Sequence, residues 1–175
     1  MPGAEVQIPV SERMVVKPFA QFGLVHAFGQ DVGNPDAYVY LMGARSVALW
    51  QTGAYTLSLG TAAIYAGDNT VGSGFAEHYV SLQVGGEVRR PLGFQIGAWT
   101  PDIGVYAGNH YYPAPLEFSR FLHTPLRVAD QGEVGFSIGS ASPMQILWLS
   151  NPRTGLGLVF GGGLKVWHVN FGFPF

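Results

Sequence analysis

The sequence contains no cysteine and few charged residues. The absence of cysteine excludes a disulfide scaffold and a thiolate metal site. Charged residues make up 11% of the 175 residues, whereas an average soluble domain has roughly 25%. The net charge of −2 gives no sign of a nucleic-acid partner. Because few polar groups are available to cover the surface, we expect part of the outer surface not to face water.

Long apolar segments are also absent. No run of 18 or more apolar residues occurs, which excludes a membrane-spanning helix. Helical patterns are weak throughout, because 25 glycines and 12 prolines interrupt every candidate window. The chain therefore predicts an all-β protein, and its length fits a single domain over residues 1–175.

Alternation with a period of two is the strongest pattern that is present. Along "YTLSLGTAAIY", Tyr55, Leu57 and Leu59 share one face and Ser58 lies on the other. We predict eight strands, at residues 14–29, 37–51, 54–66, 76–89, 94–106, 126–141, 144–160 and 164–175. A further short strand at 5–10 is joined by a turn at 11–13, and counting it gives nine.

Two details predict an antiparallel up-and-down transmembrane β-barrel of about eight strands. Aromatic residues bracket the apolar faces, with Tyr55 and Tyr65 in one strand and Tyr38 and Trp50 in another. These spacings match the ~9–11 residues with which a tilted strand crosses a bilayer between two aromatic girdles. Connection lengths also alternate: we predict short turns at 51–53 and 90–93, and longer loops at 29–37, 67–75 and 107–125.

The interior of such a barrel is just wide enough for its own side chains, so we expect a packed polar core and no pore. The predicted interior residues are Lys17, Arg45, Glu77, Glu87, Arg89 and Glu133. The predicted aromatic girdle consists of Tyr38, Trp50, Tyr55, Tyr65, Trp167, Phe171 and Phe173. We also interpret Tyr106, His110, Tyr111 and Tyr112 as girdle residues, with a ligand site at the barrel mouth as the alternative.

Catalytic residues are weakly indicated. A hydrolase would need a serine, a histidine and an acid close together. The segment "LEFSRFLHTP" contains Glu117, Ser119 and His123, but their spacing in a loop does not establish a triad. None of the five histidines has a close metal-ligand spacing. We therefore predict no metal and no cofactor, and we favour a protein without catalysis over an enzyme.

The last residues carry aromatic side chains at alternate positions and end in "NFGFPF". This ending resembles the C-terminal signal of Gram-negative outer-membrane β-barrels. Residues 152–175 resemble more specifically the end of the solitary outer-membrane autotransporter-like β-barrel family. The resemblance implies the cell outer membrane as location, outer-membrane lipid as surroundings, and recognition of Phe175 by the outer-membrane barrel assembly machinery.

Three functions remain open from the sequence. The first is a small integral outer-membrane β-barrel with a structural, anchoring or surface-interaction role. The second is a barrel enzyme that modifies lipid or lipopolysaccharide. The third is a soluble lipocalin-like barrel with its apolar faces turned inward around a small hydrophobic ligand. The sequence also leaves open whether the chain holds a complete barrel or the C-terminal part of a larger one.

Overall fold

The computed structural model describes residues 2–26, 36–70, 76–118, 126–142, 145–146, 149–150 and 153–171. The regular elements in these residues are all strands. None of these residues belongs to a helix long and apolar enough to cross a membrane. The strands are β1 (Gly3–Glu5), β2 (Ile8–Ser11), β3 (Met14–His26), β4 (Asp36–Thr52), β5 (Tyr55–Thr70), β6 (Ala76–Pro91), β7 (Pro101–Phe118), β8 (Leu126–Ser140), β9 (Gln145–Ile146), β10 (Leu149–Ser150), β11 (Thr154–Gly161) and β12 (Leu164–Phe171).

Ten of these strands form one antiparallel sheet. From β3 to β8, and on through β11 to β12, each strand pairs with the next of the sheet, which is an up-and-down order. The short strands β9 and β10 pair only with each other. The prediction of an all-β, antiparallel, up-and-down architecture is confirmed.

The strands β1 and β2 behave as one lead strand. Both pair with the same edge of β3, and they keep one register, with Gly3 opposite Gln21 and Ile8 opposite Val16. The predicted short strand near residues 5–10 is thereby confirmed. The sheet has nine strand positions, and its two edges within the described residues are the lead strand and β12.

The two faces of the sheet differ in chemistry. The face that carries Leu59, with its register partners Ala48 and Gly86, is called the outer face. Large apolar side chains are exposed on it, including Trp167 at 70% and Phe136 at 62%. On the inner face, Glu87 and Arg153 are buried and hydrogen-bonded to each other over 3.0 Å. Glu87 lies on β6 and Arg153 next to β11, three strand positions away. Three positions of a flat sheet span about 14 Å, so the sheet curls towards its inner face.

The stretch between β6 and β7 differs from the prediction. A short turn at 90–93 and a strand at 94–106 were expected. The short turn is wrong, because residues 92–100 form an irregular connection, and the predicted strand is observed only from Pro101, where β7 begins. Gly93 and Gly97 have φ values of 81° and 60°, which glycine adopts without strain and which interrupt an extended chain.

The end of β7 lies in the segment for which a loop was predicted. The strand continues to Phe118, and its register with β8 shifts between Tyr111 and Leu116. Pro113 and Pro115 lie in this stretch, where proline, which has no N–H to donate, is compatible with an irregular ladder.

Connection lengths are not segregated as predicted. The end of the sheet with turns at 12–13 and 53–54, here called the turn end, also carries the long connections 92–100 and 141–153. The opposite end, here called the loop end, carries the short turn at 162–163. The predicted continuous strand 144–160 is wrong. The described residues there form three separate strands, β9, β10 and β11. The final predicted strand is observed up to Phe171.

Candidate functional site

A buried ionic cluster occupies the inner face near the turn end. Arg153 Nε donates to Glu87 Oε1 over 3.0 Å, and Arg153 Nη2 donates to Asp102 Oδ1 over 2.7 Å. Ser137 Oγ also donates to Glu87 Oε1. Arg89 Nε lies 3.6 Å from Glu87 Oε2. The guanidinium of Arg153 thus joins carboxylates from β6 and β7, and we call these residues the Arg153 cluster.

The burial of the Arg153 cluster explains why the charges must be paired. Glu87, Asp102 and Arg153 are only 2%, 3% and 7% exposed. An unpaired charge at such a depth costs several kcal/mol. Arginine suits this position because its planar guanidinium donates to two carboxylates in fixed directions.

A second polar cluster lies nearer the middle of the inner face. Glu133 Oε1 is 2.8 Å from His168 Nε2, and Glu133 Oε2 is 3.6 Å from His110 Nε2. Asn170 Nδ2 donates to the hydroxyl of Tyr106 over 3.1 Å. These groups come from β7, β8 and β12 and connect strands that are not neighbours. Together the two clusters occupy the inner face from the turn end to the middle of the strands with side chains that bind one another.

Small residues make room for these clusters. A Cβ at Gly157 would collide with the hydroxyl of Tyr106 and lie 2.5 Å from His168 Nε2. A Cβ at Gly104 would lie 2.5 Å from Ser137 Oγ and 2.7 Å from Glu87 Oε1. A larger residue at either position would force these polar side chains to shift, because they occupy the space that a Cβ would take.

The lead strand contributes a third, more exposed ionic group. Glu5 Oε1 lies 3.9 Å from Lys17 Nζ, and Glu5 Oε2 lies 3.7 Å from Arg45 Nε. Arg45 also stacks over the ring of Phe19, with its Cζ 4.5 Å from the ring centroid. These contacts attach the lead strand to β3 and β4 through the inner face.

The structure places all six predicted interior residues on the inner face. Glu87 and Arg89 belong to the Arg153 cluster, and Glu133 belongs to the histidine cluster. Lys17 and Arg45 contact Glu5. Glu77 is exposed near the loop end, where its register partner on the neighbouring strand is Asp68.

The predicted girdle residues whose side chains are described lie on the outer face and are exposed: Tyr38, Trp50, Tyr55, Tyr65 and Trp167. Phe171 is paired with Thr154 at the end of β12, whereas Phe173 and Phe175 lie outside the described residues. The girdle interpretation of Tyr106, His110 and Tyr112 is wrong, because all three lie on the inner face and have polar partners. Tyr111 is on the outer face and 49% exposed.

The weak catalytic candidates are not brought into a triad by the described residues. Glu117 forms an exposed ion pair with Arg127, with 3.0 Å between Oε1 and Nε. Ser119 and His123 lie outside the described residues. Within the described part of the chain, no group of three or more histidine and carboxylate side chains is arranged to hold a metal ion.

A cavity of about 1030 Å³ lies at the loop end of the inner face. Strands β3 to β7 line it, and its wall includes Val39, Leu41, Ala66, Tyr79 and Tyr112. Three carboxylates, those of Asp68, Glu77 and Glu117, also line the cavity. The inner face is thus filled by ionic clusters towards the turn end and open towards the loop end.

Sequence reasoning missed several members of the clusters. Arg153 and Asp102 lie next to irregular segments, where the period-two pattern gives no phase. His110 and His168 are on strands that were identified, but their common partner Glu133 follows only from the register. Comparisons with protein families, with curated proteins and with solved structures gave no match to this chain.

Proposed function

We propose that this chain is a small integral β-barrel of the cell outer membrane, with a structural, anchoring or surface-interaction role. The observation that carries the proposal is that the sheet exposes apolar side chains and buries charged ones, the reverse of a protein that folds in water. Large apolar side chains are exposed on the outer face of each strand from β3 to β8 and of β11 and β12, whereas ion pairs are buried on the inner face. In water, an apolar surface of this extent is unfavourable and promotes aggregation. In lipid, the same surface is solvated.

The exposed apolar residues continue from strand to strand. Val105, Phe136 and Leu156 lie side by side on β7, β8 and β11, because each is the register partner of the next. The lead strand extends the same surface through Val6, which is 58% exposed. A band that runs across neighbouring strands is the pattern of a lipid-facing wall.

The soluble alternative is less compatible with these faces. A lipocalin-like barrel would turn its apolar residues inward around a ligand, but here the inner face contains Glu87, Asp102 and Arg153. The enzyme alternative receives no support from the buried groups, since each charged group of the Arg153 cluster faces another member of the cluster. The resemblance of residues 152–175 to outer-membrane barrels supports the location and the assembly machinery as a partner.

A wall in lipid requires closure, because unpaired backbone groups cost several kcal/mol each in hydrocarbon. We propose that the lead strand pairs with β12 to close the barrel. With nine strand positions, the lead strand and β12 run in the same direction, so this closing pair is parallel. Glu5 supports this assignment, since its contacts with Lys17 and Arg45 hold the lead strand in the wall.

Refolding tests the membrane proposal. We expect the chain to give a β-sheet circular dichroism spectrum and a heat-modifiable band on gels after dilution from denaturant into detergent micelles. In plain buffer it should aggregate. A monodisperse, folded sample in plain buffer would contradict the proposal.

Cysteine pairing tests the closure, and the absence of native cysteine makes it direct. Val6→Cys is combined in turn with Trp167→Cys and with Val169→Cys, and with Val105→Cys on β7 as the control. We expect an intramolecular disulfide in a β12 combination and none with the control, because Cα atoms more than about 7 Å apart do not bridge. Only intermolecular disulfides would indicate that the edges pair with a second copy.

A further inference from the structure

The cavity at the loop end combines an apolar wall with acidic side chains. Its apolar wall is formed by Val39, Leu41, Ala66 and the ring of Tyr79. None of the lysines and arginines in the described part of the chain lines it. A volume of about 1030 Å³ is at the upper end of the range typical of small-molecule sites, roughly 300–1,000 Å³.

Two acidic residues lie side by side in the cavity wall. Asp68 on β5 and Glu77 on β6 are direct register partners on the inner face. Like charges directly opposite each other destabilise a sheet. Neither carboxylate forms an ion pair with a basic side chain among the described residues. The third carboxylate, Glu117, is different because Arg127 pairs with it over 3.0 Å.

Aromatic rings complete the site. The rings of Tyr79 and Tyr112 are 6.3 Å apart, centroid to centroid, at an interplanar angle of 61°. The Tyr112 hydroxyl donates to Gln131 Oε1 over 3.2 Å, which orients this ring at the base of the cavity. Aromatic faces attract organic cations, and this attraction is stronger where water is partly excluded.

We propose that this cavity binds an organic cation that has an apolar or aromatic body. Its ammonium group lies between Asp68 and Glu77 and removes their mutual repulsion. Its body lies against Val39, Leu41 and Tyr79. An organic cation fits better than a metal ion, since the described residues offer no set of three or more ligands for a metal and the wall is apolar. The proposal does not depend on the membrane location.

Calorimetric titration with benzyltrimethylammonium tests the proposal. The protein is used as the folded full chain, in non-ionic detergent or, if it folds there, in plain buffer. We expect saturable binding, with weaker binding of tetramethylammonium, which lacks the ring, and of benzyl alcohol, which lacks the charge. Equal binding of benzyl alcohol would overturn the role of the carboxylates. Calcium ions that displace the probe at lower concentration would overturn the organic ligand.

Matched variants locate the site. Asp68→Asn and Glu77→Gln should each weaken binding about threefold to tenfold, as expected for a partly exposed charge pair. Both variants should fold, because each removes one of two like charges at directly opposite positions of the sheet, and circular dichroism checks this. Glu12→Gln, in the turn at the opposite end of the sheet, removes the same charge and should leave the affinity unchanged. Equal affinities in all three variants would refute the proposed site.

Discussion

Arg153→Met gives the sharpest test of the buried ionic cluster. The substitution keeps a long apolar side chain but removes the guanidinium that donates to Glu87 over 3.0 Å and to Asp102 over 2.7 Å. Both carboxylates are almost fully buried. Removing one partner from a buried ion pair costs about 3–5 kcal/mol, because the remaining charge is left without compensation.

The geometry places the expected loss near the lower end of that range. Arg89 Nε remains 3.6 Å from Glu87 Oε2, so Glu87 keeps one cation. Asp102 loses Arg153, whose Nη1 and Nη2 donate to its two carboxylate oxygens over 3.5 and 2.7 Å. We therefore expect Arg153→Met to lower the free energy of unfolding by about 3 kcal/mol. Arg153→Lys should lose less, since it keeps the charge but not the two-pronged hydrogen bonding.

Urea unfolding in lipid vesicles or detergent, followed by tryptophan fluorescence, measures this loss. Arg13→Met, an exposed arginine in the turn at 12–13, serves as the control and should change the stability by less than about 0.5 kcal/mol. Adding Asp102→Asn to Arg153→Met should restore part of the stability, because it removes the unpaired charge. A loss below about 1 kcal/mol for Arg153→Met would refute the assignment of the cluster as a buried, mutually dependent unit.

Three further substitutions test the faces and the packing by the same unfolding assay. Leu59→Arg, on the outer face between Tyr55 and Tyr65, should cost about 2–4 kcal/mol in lipid vesicles, whereas Glu12→Arg at the turn should cost almost nothing; equal tolerance would contradict the outer face. Gly157→Ala should cost about 1–3 kcal/mol because its Cβ meets Tyr106 and His168, and Gly86→Ala, whose nearest atom lies at 3.5 Å, should be well tolerated. Tyr106→Phe should cost about 1–2 kcal/mol by leaving the Asn170 amide without its hydroxyl acceptor. Tyr111→Phe, at an exposed position, should leave the stability unchanged. A larger loss for Tyr111→Phe than for Tyr106→Phe would contradict the assigned orientations.

The faces of the central strands could be predicted from the sequence because alternation is a local property. Within β5 and within β6 the side chains alternate between the two faces without a register shift, so the assignment of faces in one part of a strand holds for the rest. The same reasoning placed Glu87, Arg89 and Glu133 on one face. It could not find their partners, because an ion pair between strands depends on register, and register is set by turns and bulges that a period-two pattern does not contain.

The failures occur where the backbone departs from an extended chain. Gly93 and Gly97 take positive φ values, and Trp99 Nε1 donates to the carbonyl of Gly139 over 3.0 Å, which holds the irregular connection against β8. This contact joins residues far apart in the sequence and could not be derived from local pattern. Because the chain is irregular before Pro101, the alternation of residues 94–100 does not indicate which side chains of β7 point inward. For this reason Asp102 and Tyr106 were not recognised as inner-face residues.

The distribution of the polar side chains along the strands determines from which end a ligand would reach the inside of a closed barrel. The Arg153 cluster lies near the turn end and the histidine cluster near the middle, so the inner face is filled from one side. The strands β4 to β8 have 15 to 18 residues, longer than the ~9–11 that a bilayer core requires. The loop-end parts of β4 to β7 contribute to the wall of the cavity. Because the ionic clusters block the inner face towards the turn end, a ligand would enter the cavity from the loop end. Binding there leaves the buried ion pairs intact, so the site that stabilises the sheet and the site proposed to bind a cation are separable by substitution.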